Sequence, residues 1–256
     1  SAPPHPSVPP RPAAPPRGRR RVWPWAAVAA ALVLVGAGAV AVTDRGGTGT
    51  GAGPHVLPGS PRALLLDGVS GRVEIVAADG AAATAEYLPE GAQRPGLVGL
   101  GPAGSDGAVP VRCAAGGDGP FDRCTGRLRL AVPADTALTV RQDSGEITLS
   151  GLRGDLALSL ASIRCTAVGL RPEHATVSVR SGSADLGFAA PPGELSVEST
   201  SASVALRLPE RDGGYAFDSD QVSADVRIAL PERPGADHRV RLRTTSASVA
   251  VLPADG

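Results

Sequence analysis

The strongest constraint in this chain is a six-residue unit that returns seven times. Serine opens it, a small residue usually follows, and aliphatic or small residues take positions four and six. The units are S-G-R-V-E-I from Ser70, S-G-E-I-T-L from Ser144, S-I-R-C-T-A from Ser162, S-G-S-A-D-L from Ser181, S-A-S-V-A-L from Ser201, S-A-D-V-R-I from Ser223 and S-A-S-V-A-V from Ser246. The last six follow one another at 18, 19, 20, 22 and 23 residues. A second alternating run precedes nearly every one, such as L-T-V-R before Ser144, T-V-S-V-R before Ser181 and R-V-R-L-R before Ser246.

Alternation at period two marks strands with one buried face. Two short strands per unit, joined by Gly, Ser, Asp or Pro turns, give a coil of about 20 residues, which lies in the range of solenoid repeats. The expected fold is therefore all-β, a β-solenoid-like repeat domain that is regular over 133–253. Stacked coils enclose a narrow core of Val, Leu, Ile and Ala, which agrees with an aromatic content of only 3%. The recurrent Ser144, Ser162, Ser181, Ser201, Ser223 and Ser246 are expected at equivalent corners, where their hydroxyls could form a hydrogen-bonded ladder with a structural role. Segment 61–132 is less regular. Its unit at Ser70 stands 74 residues before the next, so a divergent β cap or solenoid start is expected there.

Residues 22–42, V-W-P-W-A-A-V-A-A-A-L-V-L-V-G-A-G-A-V-A-V, carry no charge. About 20 apolar residues cross a bilayer as a helix, so the solenoid is expected to hang from one N-terminal transmembrane helix. Trp23 and Trp25 sit where an interfacial aromatic belt belongs, and Arg17, Arg19, Arg20 and Arg21 precede the span. The positive-inside rule then places the N-terminus in the cytoplasm and the rest outside. A cleaved signal peptide is the alternative: Ala39-Val40-Ala41 has the A-x-A form, and cleavage near Ala41 would release a secreted protein. Residues 1–21, rich in Pro and Arg, are expected to be a disordered cytoplasmic tail. Residues 43–60, rich in Gly and Thr, form a linker on this reading.

Equal numbers of basic and acidic residues, 25 each and every basic one an arginine, hide a split. Residues 1–45 are net +5 and residues 46–256 net −5. An acidic outer domain with few rings argues against nucleic-acid binding. The run V-P-A-D-T-A-L-T-V-R-Q-D-S-G-E-I-T-L-S-G-L-R-G-D, residues 132–155, and the repeated S-G and S-A units after it resemble the putative-adhesin family of bacterial envelope proteins with β-strand repeats. The resemblance spans residues 61–253. It implies a right-handed β-solenoid-like domain, tethered to a bacterial membrane and linked to envelope stress or surface attachment, with no catalytic residues. The unit at Ser162 departs from the pattern through Ile163, Cys165 and Ala167.

Chemistry is sparse. Cys113 and Cys124, with ten residues between them, are expected to form a disulfide outside the membrane. That closure stabilises by about 2–3 kcal/mol in the chain-entropy model, whereas a cytoplasmic domain would leave two free thiols. Cys165 is most simply a buried small apolar side chain, and the alternative is a reactive or intermolecular thiol. His5, His55, His174 and His238 are scattered, and no H-x-x-x-H, C-x-x-C or G-x-S-x-G occurs. Asp218 and Asp220 could serve as a carboxylate pair, yet i, i+2 acids beside a turn are commonly just solvated. No catalytic, cofactor-binding or metal site is expected, and no enzyme. The expected function is a non-catalytic interaction module at the cell envelope. Its partners are the lipid bilayer, through 22–42, and an envelope polymer or surface or membrane protein. An accessory sensor of envelope stress, acting through a membrane signalling partner, is the alternative.

Overall fold

The computed structural model describes residues 54–116 and 120–254, and every regular element among them is a strand. The expectations for the tail 1–21, the span 22–42 and residues 43–53 of the linker lie outside the described residues. The strands are β1 (His55–Val56), β2 (Ala63–Ala78), β3 (Thr84–Pro89), β4 (Leu97–Leu100), β5 (Val109–Ala114), β6 (Thr125–Pro133), β7 (Ala137–Ser150) and β8 (Leu156–Leu170). They continue with β9 (His174–Phe188), β10 (Glu194–Thr200), β11 (Ala202–Leu208), β12 (Ala216–Val222), β13 (Asp225–Ile228), β14 (Arg239–Thr245) and β15 (Ser248–Pro253).

Each unit forms two arms, one before the serine and one after it. In β7 the buried positions are Leu138, Val140 and Gln142 before Ser144, then Ile147 and Leu149 after it. The parity of the buried residues changes across the serine, so the chain must turn there to keep both arms facing one core. The same change occurs in β8 and β9, and between β10 and β11.

Layers pair in parallel and in register. Ser70 lies opposite Ser144, Ser144 opposite Ser162, and Ser162 opposite Ser181. Equivalent side chains therefore stack into columns. One column of the second arm runs Leu128, Val73, Ile147, Cys165, Ala184, Val204, Val249, all buried, and ends on the half-buried Val226. The departure at Ser162 leaves the pairing intact, because β8 keeps register with both neighbours through Ile163, Cys165 and Ala167.

The turn at the serine uses a positive φ in two different places, while the Ser162–Ile163 turn uses neither. In the S-G units the glycine has a positive φ: 96° at Gly71, 106° at Gly145 and 106° at Gly182. A Cβ on Gly145 would collide with the carbonyl oxygen of Gly71, and one on Gly71 with that of Gly126. Glycine is required there by conformation and by space together. In the S-A units the serine itself is left-handed, with φ 54° at Ser201, 51° at Ser223 and 50° at Ser246. Those units break into two strands, whereas β7 and β9 run through the turn.

Stack order departs from chain order at both ends. From one end the layers are β5 with β6, β2, β7, β8, β9, β10 with β11, β14 with β15, and β12 with β13. The Ser246 unit thus lies between those of Ser201 and Ser223. At the other end β2 pairs directly with β7, so the Ser70 unit belongs to the regular stack despite its distance in sequence. Thr125 lies opposite Ser70, with Gly126 at φ 119° beside Gly71. T-G-R-L-R-L is therefore an eighth unit, hidden by an opening threonine. Strand β3 packs antiparallel on β6, and β1 on β3, so His55–Val56 is paired strand within the expected linker.

Charge explains the order at the second end. Strand β14 presents Arg239, Arg241 and Arg243 between the acids of β10 and β12. Arg241 reaches Glu194 on one side and Asp218 on the other, 3.5 Å each. Stacked directly and in the same register, β12 would set Asp220 opposite Glu198, a like-charge pair that destabilises. With β14 between them, Arg243 faces both acids.

The two turn solutions predict opposite responses. Gly145→Ala should destabilise by about 1–3 kcal/mol through strain and collision. Ser246→Gly should raise stability by about 0.5–1 kcal/mol by relieving the left-handed serine. Urea unfolding of both variants, with Ser219→Ala as a near-neutral exposed control, checks the pair.

Candidate interaction surfaces

Trp23, Trp25, Arg19, Arg20 and Arg21 lie outside the described residues. The six corner serines are at the turns, exposed or half-exposed, but among the described residues none of their hydroxyls makes a hydrogen bond. The hydroxyl ladder expected there is not formed; a single serine–serine bond occurs at the third position of the unit, where Ser248 Oγ donates to Ser203 Oγ at 3.2 Å. That position lies on the flat of the second arm, where register mates face one another across neighbouring strands.

Cys113 and Cys124 are joined, with Cα atoms 4.9 Å apart. The bridge has a clear place in the stack. The last parallel layer at this end is made of β5 on one arm and β6 on the other, and the chain leaves it at the turn between them. The disulfide closes the neck of that excursion, assisted by the reciprocal backbone bonds of Cys113 and Asp122 at 2.9 and 2.7 Å. It takes the place of the covalent turn that β7 makes at Ser144. Cys165 is a buried free thiol in the core column. Burial, with a smaller contribution from the Asp185 charge, raises its pKa from 9.0 to about 12.

Asp218 and Asp220 stand exposed on the edge strand β12, the first paired with Arg241. Such charges on an open edge discourage pairing with another chain. Tyr215 behind them is buried and donates its hydroxyl to the Pro209 carbonyl at 2.8 Å. Burial raises its pKa from 10.0 to about 12, against the lowering effect of Arg211. Among the described residues no three metal-binding side chains come together.

Sequence inspection missed a polar groove at the turn, because its residues are far apart in the chain. Register aligns Asp67, Arg141, Ser159 and Ser178 across β2, β7, β8 and β9. Arg180 follows two residues after Ser178, and Arg123 reaches over from the disulfide neck. Together they line a cavity of about 250 Å³ whose floor includes Gln142. A second cavity of about 330 Å³ shares Asp67 and Arg123 and adds Arg112 and Asp122. Gln142 is buried, with its amide donating to the carbonyls of Gly71 and Ser144, while its Oε1 has no partner among the described residues.

No family model matches this sequence, and no curated protein matches it. Among solved structures the chain is similar to one from Clostridium sporogenes described as a putative cell adhesion protein, at 11% identity and a TM-score of 0.42, over 78% of this chain and 99% of that one. It is also similar to one described as a putative adhesin from Bacteroides fragilis, at 8% identity and the same TM-score, over 78% of this chain and 95% of that one. Likeness at that level bears on neither ligand nor location.

Thiol counting tests the cysteine arrangement. The folded protein should give no thiol to Ellman's reagent at pH 8, the denatured protein one, and the denatured and reduced protein three. Alkaline titration tests the buried pair. Both Cys165 and Tyr215 are held neutral in the fold, so ionisation favours the unfolded chain. Stability should hold below pH 9 and fall as pH rises from 9 toward 12, and less steeply in Cys165→Ala and Tyr215→Phe.

Proposed function

We propose that this protein is a membrane-anchored, extracytoplasmic interaction module of the cell envelope, built as a right-handed β-solenoid and without catalytic activity. The observation that carries this reading is the in-register stack itself. It turns short, weak units into a rigid body with two broad solvent faces. On the second arm one such face sets Arg127, Arg72, Glu146, Arg164, Ser183, Ser203, Ser248 and Asp225 in a single file across eight layers. Long rows of regularly spaced polar side chains suit contact with an extended partner rather than turnover of a small one.

Handedness follows the strong rule for parallel β connections. The outside location is supported by the disulfide, which persists in oxidising compartments. It is supported also by the uncharged run 22–42 with Arg19, Arg20 and Arg21 before it. The resemblance of 61–253 to envelope proteins with β-strand repeats points the same way.

In bacteria making the full chain, the protein should sediment with membranes and resist extraction by alkaline carbonate. Protease added to intact cells should remove the repeat domain and spare an epitope placed in residues 1–21. Recovery in the soluble cytoplasmic fraction, with Cys113 and Cys124 reduced, would overturn the reading. In-membrane crosslinking separates module from sensor: an interaction module keeps its captured partner when residues 1–42 are exchanged for another anchor, and a sensor loses it.

A further inference from the structure

The groove at the turn has the construction of a site. Four arginines border it, Arg112, Arg123, Arg141 and Arg180, against the three acids Asp67, Asp122 and Asp143. Only Arg141 is paired, with Asp67 at 3.5 Å. Arg112, Arg123 and Arg180 have no carboxylate partner among the described residues. Elsewhere on the stack Arg72, Arg129, Arg207 and Arg241 each meet an acid on an adjoining layer. The groove thus brings together three guanidinium groups without an ion pair, in a lining that holds one more arginine than acids.

Three features hold them there. Strand β2 bulges at Gly68, where the register shifts between Asp67 and Val69, and bulges commonly re-aim side chains beside sites. Gly68 has φ +63°, and a Cβ on it would stand 3.0–3.2 Å from Nε, Cδ and Cζ of Arg123. The guanidinium therefore lies against bare backbone at Gly68. The disulfide neck fixes Arg112 and Arg123 from the other side, since each directly precedes a bridged cysteine.

We infer that this groove binds an acidic sugar residue of an anionic glycan. A guanidinium presents a planar fork that matches carboxylate and phosphate oxygens. Ser159 and Ser178, side by side on β8 and β9, offer hydroxyls with no partner among the described residues, and these suit the hydroxyls of a sugar ring. No aromatic side chain lines either cavity. A neutral sugar usually relies on stacking against such a ring, so the anion must supply the attraction here. The shared chemistry is a carboxylate or phosphate on a polyhydroxylated ring, and 250 Å³ is space for one such residue.

This inference rests on the reading of the protein as an envelope interaction module. The full chain, in lipid nanodiscs, is titrated with hexagalacturonate, with a sugar-phosphate oligomer, with neutral maltohexaose and with hexaglutamate. Binding of at least one of the two acidic glycans is expected, with carboxylate or phosphate identified by which one binds. It should weaken about tenfold in Arg180→Ala and in Arg123→Ala, and measurably in Arg180→Lys, which keeps the charge and loses the fork. Gly68→Ala should also weaken it by displacing Arg123. Maltohexaose should not bind. Unchanged thiol counts and circular dichroism show that the variants fold. Absence of binding by both acidic glycans, or binding that survives Arg180→Ala and Arg123→Ala, overturns the inference. So does hexaglutamate binding as tightly as either glycan, which would mark an acidic-peptide site. If the groove fails while crosslinking from the membrane still captures an envelope component, the module reading stands and the ligand lies elsewhere on the stack.

Discussion

Register between layers is the constraint on which everything else in this molecule depends. A single layer has two short arms and a handful of inward side chains, too little apolar surface to stay folded alone. Parallel pairing with no offset gives each layer a neighbour that buries the same positions. A slip of β7 by one residue would turn its whole buried set, Ile147 and Leu149 among it, outward together. Glycine at the turns lets the layers approach closely enough for this to hold. The carbonyl of Gly71 occupies the space a side chain on Gly145 would need. The buried hydroxyls of Ser199 and Thr244, register mates without hydrogen-bond partners among the described residues, mark where the core column turns polar toward the second end.

Identical backbone patterns do not by themselves say which layer lies beside which. The ion pairs on the faces are individually weak, because their side chains are largely exposed. Their arrangement is nonetheless informative. Arginine on β14 between acids on β10 and β12 favours one order of three otherwise similar units. The same logic extends to Arg72 with Glu146 and Arg129 with Glu74 at the other end. Charge here selects an arrangement more than it stabilises one.

The strands, the two arms per unit and the aliphatic core were legible from alternation and spacing, since both report directly on which side of a strand is buried. Three things were not. The unit at Thr125 was hidden by one methyl group in its opening residue. The position of the Ser246 unit could not follow from its hydrophobic pattern, which matches that of Ser201 almost letter for letter; only R-V-R-L-R before it carried the signal. No hydroxyl ladder follows from the corner serines: Ser144 and Ser162 are register mates whose hydroxyls turn to solvent, and the bond from Ser248 to Ser203 lies two positions further along the unit. The groove was illegible for a different reason. Arg112, Arg123, Arg141 and Arg180 are ordinary surface residues in sequence, and only the folded-back neck and the bulge at Gly68 bring them together.

The displaced layer has a consequence for how the chain is made. Residues 216–228 leave the ribosome before residues 239–253, yet the later segment separates the earlier one from the body of the stack. Growth by simple addition, each new layer settling on the last, therefore stops at β11. The β12–β13 layer that follows has no native partner until β14 and β15 have been made. Order of synthesis and order in space run together for the middle of this protein and part company at its end, so the native contacts of β12 and β13 are completed only by the last strands of the chain.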